Sequence, residues 1–195
     1  MRHALLLLAL LAGPAQAGDI QSAYSDLKRD ACENLSPPDD EEACCELLCR
    51  GHTDIPVRIW EGDLRNFVGF GKDAHRQCAS LQTFRMFNSL GPKVEWRLDG
   101  GKPFATILRW FTDADGRKQN WLVVTKVGDA QSCHVAYVEA GLPDANQKAR
   151  DIADSVARRF DCVAGLPAVI AKAPATPDDV ATGAPCGEGP FRNGE

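Results

Sequence analysis

Cys45, Cys49 and His52, with Cys44 adjacent, form the densest group of metal-ligating and nucleophilic side chains in the sequence. Two thiolates and an imidazole at Cys-x-x-x-Cys-x-x-His spacing suit Cu(I) or zinc, and two nearby thiols can also run thiol–disulfide chemistry. The competing reading is an ordinary disulfide, which an oxidising compartment favours. No Cys-x-x-Cys occurs, which counts against a thioredoxin-type role. His52 and His75 sit in polar, glycine-containing stretches that read as loops. His134 falls in an apolar run, where alternation would point it away from Cys133, Val135 and Tyr137. No Gly-x-Ser-x-Gly elbow and no His-Glu-x-x-His helix accompanies any of them. Asp113-Ala-Asp-Gly116 opens like a calcium loop, but the twelfth position is Val124, so it reads as a hairpin turn. Gly100-Gly101-Lys102 lacks the preceding glycine of a phosphate loop and also reads as a turn.

The remaining chemistry is recognition. Trp60, Trp96, Trp110 and Trp121 fall in strand-like segments, with Arg58, Arg97 and Arg109 close by. Outward-facing members would form a cationic-aromatic patch able to stack on sugars, peptides or a partner protein. Alternation keeps Trp96 with Val94 and Leu98, and Trp121 with Val123, which marks both as core. Trp60 shares a face with Arg58, and Arg109 shares one with Ile107 and Phe111. Arg58, Trp60 and Arg109 are therefore the candidate ligand-binding residues.

The elements that must hold these side chains follow from composition and period. The chain has 195 residues, eight cysteines, 44% apolar and 25% charged residues, and a net charge of −5. This length suits one core, and the balance fits neither a disordered polyelectrolyte nor a membrane bundle. Residues 1–17 read as a secretory signal: Arg2, an apolar run over residues 4–12, Pro14, then Ala15-Gln16-Ala17 as the cleavage site. That apolar run rises only about 14 Å as a helix, too short for a hydrocarbon core of about 30 Å. The expected product is a periplasmic or secreted protein without membrane insertion. An acidic chain without a Lys/Arg cluster is also a poor nucleic-acid binder.

Three zones follow: the signal at 1–17, a single domain at 18–162 and a tail at 163–195. The domain opens on an irregular cysteine-containing stretch, with an acidic loop at Asp39-Asp40-Glu41-Glu42. Period-two runs at 55–59, 64–70, 94–98, 104–112, 121–127 and 134–139, separated by Gly/Asp turns, predict an antiparallel sheet of about five to six strands. Residues 144–160 predict one helix, with Asp144 as N-cap and Ala145, Ala149, Ile152, Ala153, Val156 and Phe160 on the buried face. The fold class is thus α+β, a sheet covered by a C-terminal helix. Residues 163–195, rich in Ala, Pro and Gly, predict a flexible tail that only Cys186 could tether.

An exported chain with an even cysteine count reads as disulfide-bonded. Cys133 opens the last strand and Cys162 follows the helix. A helix lying back over the sheet brings them together, closing a loop worth about 3–4 kcal/mol in the chain-entropy model. Cys32 and Cys49 would staple the irregular N-terminal stretch. Vicinal Cys44 and Cys45 seldom bond each other, so one of the two, Cys45 or Cys44, is expected to pair with Cys78, leaving Cys186 for the other.

Several segments carry a family resemblance. They are Ala23-Tyr-Ser-Asp-Leu27, Glu61–Arg65, Gln82-Thr83-Phe84, Phe87-Asn88, Val94-Glu-Trp-Arg-Leu98, Pro103–Trp110, Cys133–Ala140 and Phe160-Asp-Cys162. Together, over residues 24–162, they resemble an uncharacterised group of exported proteobacterial proteins. The resemblance implies cysteines matching Cys32, Cys49, Cys133 and Cys162, and makes Cys44, Cys45, Cys78 and Cys186 departures. It implies no activity, no cofactor and no functional residue. The expectation is a non-enzymatic binding or inhibitor-like module acting on an envelope or extracellular protein or a small ligand. The competing class is a metal or thiol-redox protein using Cys44, Cys45, Cys49 and His52.

Overall fold

A computed structural model describes residues 19–36, 46–129, 131–183 and 186. The expected signal segment, the acidic loop and the Cys44-Cys45 pair lie outside them. The strands, in chain order, are β1 (Ile20–Asp26), β2 (Cys32–Asn34), β3 (Glu46–His52), β4 (Ile55–Gly62), β5 (Arg65–Phe70) and β6 (Thr83–Phe84). β7 (Phe87–Asp99), β8 (Lys102–Ala114), β9 (Arg117–Lys126) and β10 (Cys133–Glu139) follow. Then come α1 (Ala145–Val156), β11 (Ala168–Ile170), α2 (Pro177–Val180) and β12 (Ala181–Thr182).

Local sequence sets the hairpins. Asp115 and Gly116 both take positive φ between the paired ends of β8 and β9, as do Gly100 and Gly101 between β7 and β8. That is the primed turn whose twist matches the flanking strands. The Gly116 N–H also donates to Asp113 Oδ1 at 2.7 Å, so the carboxylate shapes the turn. The resulting large sheet has the order β1-β7-β8-β9-β10-β11, antiparallel except for the β10–β11 pair.

The α+β class, the antiparallel sheet, the late helix and disulfide cross-linking are all present. One layer differs from expectation. β4 and β5, expected to join the same sheet, form a separate four-stranded sheet in the order β2-β3-β4-β5, and the N-terminal stretch, expected to be irregular, supplies β2 and β3 to it and β1 to the large sheet. The reason lies in β8 and β9, which are apolar on both faces. Ile107, Leu122 and Val124 pack under the helix, while Leu108, Trp110, Trp121 and Val123 pack against Leu47, Val57, Ile59 and Phe70 of the small sheet. One helix covers one face only, so the second face needs a second layer. The order of layers is small sheet, large sheet, helix.

α1 docks through Ala145, Ala149 and Ala153, with Ala157 just beyond its end, a buried stripe at four-residue spacing. Two expected details are corrected. Asp144 stands at the N-cap with φ 56° and makes no side-chain cap. Val156, assigned to the buried face, is exposed, because the narrow alanine stripe turns it outward.

The expected flexible tail is also corrected for its described residues. β11 pairs with Ala136–Val138 of β10, β12 pairs with β6, and Val180 and Ala181 enter the core. Asp179 accepts from the Thr176 N–H at 2.7 Å and starts α2. Cys186 bonds Cys78, which corrects the expected pairing of Cys78 with Cys45 or Cys44. Such a segment need not build its own core; it docks on a finished one, and the cross-link lowers the ordering cost. Cys32–Cys49 and Cys133–Cys162 pair as expected. Cys78 sits beside the latter because the 3₁₀ turn Cys78–Leu81 rests on the 131–134 stretch, with Ala79 N–H bonded to Ser132 O at 2.8 Å.

Candidate functional site

Two consecutive non-glycine residues hold left-handed backbone at the tip of the β4–β5 hairpin. Its two linking residues, Asp63 and Leu64, have φ of 52° and 57°, a conformation that normally selects Asn-Gly or Asp-Gly. A branched apolar residue there costs on the order of 1–2 kcal/mol. Neighbouring bonds hold it in place. The Asn88 N–H donates to Leu64 O at 3.1 Å. Asn66 donates its N–H to Asn88 Oδ1 (2.9 Å) and its amide Nδ2 to Asn88 O (2.8 Å). Thr83 closes the network, donating to Asn66 O at 2.7 Å and accepting from Asn88 Nδ2 at 3.1 Å. The hairpin is thereby fastened to the first residues of β7, which β1 leaves free because it pairs only with residues 93–99.

The strained position points an apolar side chain outward. Leu64 is 59% exposed, Phe87 52% and Phe111 37%. All three line one groove of about 640 Å³, rimmed by Glu61, Asp113 and Lys118. Its floor is the far end of the large sheet: Phe87 pairs with Asp113, Ser89 with Phe111, and Phe111 with Asn120. Along β8 the same face carries Ile107 under the helix, then Arg109 beside Asn146, then Phe111 beyond the helix start. The groove is therefore the stretch of sheet that α1 is too short to cover. Its chemistry is an apolar floor with a charged rim, which suits recognition.

The sequence-derived candidates are not brought together. Arg58 and Trp60 lie on the outer face of the small sheet, where Arg58 bonds Glu46 and Trp60 stacks on Phe67 with ring centroids 6.1 Å apart. Arg109 lies on the helix side of the large sheet, 3.5 Å from Asn146. This is a correction to a three-residue patch: β4 and β8 belong to different layers. Trp96 and Trp121 are core as expected, and Trp110 joins them. Leu64, Phe87 and Phe111 escaped sequence reasoning; the available signal was Asp-Leu standing where a hairpin wants Asp-Gly.

The metal and redox reading loses a ligand, because Cys49 is oxidised with Cys32. Among the described residues no three His, Cys, Asp or Glu side chains are placed to hold a metal ion. His52 lies against Trp96, centroids 6.2 Å apart.

His134 is the second correction. A bulge between His134 and Ala136 breaks the alternation of β10 and turns His134 to the side of Tyr137. His134 Nδ1 and Tyr137 Oη are 2.9 Å apart, and the His134 N–H donates to Gln82 Oε1 at 2.6 Å. Burial pushes the imidazole down to about 3 and the phenol upward, so both stay neutral. The pair is enclosed, with Phe84 and Trp110 against it, and reads as core structure.

A third polar group joins sheet and helix. Arg97 grips Asp154 through Nε (2.8 Å) and Nη2 (2.6 Å), and Arg150 grips Glu95 through Nε (2.7 Å) and Nη2 (3.2 Å). Burial works to raise the Glu95 carboxyl, but bonds from Arg150 and Ser22 and the charges of Arg150 and Arg97 outweigh it, leaving it below the ordinary range. The Asp154 bond raises Arg97. These charges cancel in pairs and fix the helix on the sheet. No family model, curated protein or solved structure matches the chain.

Proposed function

We propose that the protein is an exported, non-enzymatic binding module that captures a partner protein in the Leu64–Phe87–Phe111 groove. One observation carries the reading: a leucine is held in a left-handed conformation where glycine would be relaxed, and its side chain is presented to solvent beside two exposed phenylalanines. Backbone strain of this kind concentrates at functional positions. Burying these three side chains would contribute on the order of 1 kcal/mol each, since each is already partly covered. Polar contacts at Glu61, Asp113 and Lys118 would supply the orientation. Export is supported by the signal-like N-terminal residues and by three disulfides among the described residues.

The test is capture from an envelope or extracellular extract of the source organism on the immobilised protein. Leu64→Asp and Phe111→Asp serve as groove variants, and Val163→Asp as an exposed control elsewhere. A saturable partner retained by the control and lost by both groove variants supports the proposal. No saturable partner, or one that ignores the groove variants, overturns it.

A further inference from the structure

A second concave site lies on the small sheet and shares no lining residue with the groove. The outer face of this sheet carries Glu46, Arg58, Trp60 and Phe67, opposite the buried Leu47, Val57, Ile59 and Val68. A wall stands over one end of that face. Gly69 lets the 3₁₀ turn Ala74–Arg76 sit directly on the strand, since a Cβ there would come within 2.7 Å of Ala74 Cβ. Ser80 Oγ lies 2.6 Å from Gln77 O and 3.2 Å from His75 O, so the wall is held in shape, and the Cys78–Cys186 bond anchors it. Between the wall and the sheet is a cavity of about 350 Å³, lined by Trp60, Glu46, His75, Ser80 and Leu81.

We propose that this cavity binds a neutral, pyranose-based saccharide. A pyranose has an apolar C–H face and a rim of hydroxyls, and the site offers a counterpart to each. Trp60, stacked on Phe67 at an interplanar angle of 6°, provides a flat ring platform. The Glu46 carboxylate, bonded to Arg58 Nε, presents acceptors with guanidinium donors beside them, a pairing that matches adjacent hydroxyls. His75 adds a further polar residue to the lining. Because Glu46 and Arg58 cancel each other, the site carries no surplus charge to recruit an anion or a cation. Trp60 occupies the position that alternation assigned to an outward face, and the three other tryptophans are buried.

That burial supplies the readout. Trp60 is the tryptophan accessible to a soluble ligand, so binding changes its emission and shields it from acrylamide. Cellotetraose, chitotetraose and maltotetraose are titrated into the intact oxidised protein, with fluorescence and calorimetry in parallel. At least one is expected to bind saturably in the millimolar range or tighter, and to lower acrylamide quenching. Trp60→Ala is expected to weaken that binding by about tenfold or more, Trp60→Phe to retain part of it, and Glu46→Gln to weaken it severalfold. Leu64→Asp leaves it unchanged, so this site and the groove stand or fail separately. Folding of each variant is checked by circular dichroism, and Trp60→Phe preserves the ring stack if the alanine variant unfolds. Saturable heat from none of the three sugars overturns the proposal. So does binding that survives in a folded Trp60 variant lacking the ring, or binding confined to an anionic polymer such as dextran sulfate.

Discussion

Leu64→Gly is expected to raise stability while weakening partner capture. Leu64 has φ 57°, and an L-residue in that region costs about 1–2 kcal/mol. Glycine removes the strain but adds about 0.5–1 kcal/mol of chain entropy to be lost on folding. The leucine side chain offsets little, because at 59% exposure it is not far from what a compact denatured chain already shows. The net gain is about 0.5–1 kcal/mol, or roughly 1–4 °C in Tm for a domain of this size. Leu64→Asn avoids the glycine entropy and tolerates the left-handed region, so its gain is about 1 kcal/mol. The Leu64 carbonyl still accepts from Asn88 in both variants, which keeps the hairpin fastened to β7. The assay is calorimetric melting of the oxidised protein, paired with titration of the captured partner. Both variants are expected to melt higher and to bind several times more weakly. A lower Tm for both would refute the strain argument, and unchanged affinity would refute the claim that the strain serves recognition.

Three further outcomes follow from the buried polar groups and the cross-links. His134 has its folded pKa near 3 against an ordinary value of about 6.5, so the unfolded chain takes the proton first. Stability is then present above about pH 6.5 and lost as pH falls towards 3, amounting to about 2 kcal/mol by pH 5. Urea titrations at pH 7 and pH 5 should show that loss, and His134→Gln should flatten it. Arg97→Ala strands Asp154 beside Glu95 and is expected to cost about 3–5 kcal/mol, whereas Arg97→Met with Asp154→Leu costs far less. A cost under about 1 kcal/mol for the single variant would show that the ion network does not anchor the helix. Cys186→Ser opens a link spanning 108 residues, worth up to about 4–5 kcal/mol by chain entropy. Limited proteolysis should then cut first within residues 163–176, ahead of the large sheet.

Periodicity and turn chemistry made the hairpins, the long strands and the helix legible, since each depends on residues close in sequence. The alanine stripe at 145, 149 and 153 and the Asp115-Gly116 turn are local signals that survive intact in the fold. The Cys133–Cys162 link was readable because the last strand and the helix bring its ends together, whereas the β2–β3 pairing that sets Cys32 opposite Cys49 lies in a stretch the sequence left irregular. The candidate sites were harder. Trp60 was found through its alternation with buried Val57 and Ile59, but Arg109 was grouped with it only because sequence cannot say which strands share a sheet. The bulge in β10 likewise reversed the side on which His134 lies, and nothing in the run Cys133-His-Val-Ala-Tyr137 announces it.

By itself the sequence determined a disulfide-linked α+β chain of antiparallel hairpins with one covering helix, because those features follow from local conformational preference and apolar period. Tertiary structure alone decided that β4 and β5 leave the large sheet for a separate one, that Cys78 meets Cys186, and that Leu64 is held at positive φ beside Phe87 and Phe111. Each of these is a contact between distant segments. It forms because a doubly apolar sheet must be covered on both faces, and the covering layers determine which side chains remain in solvent.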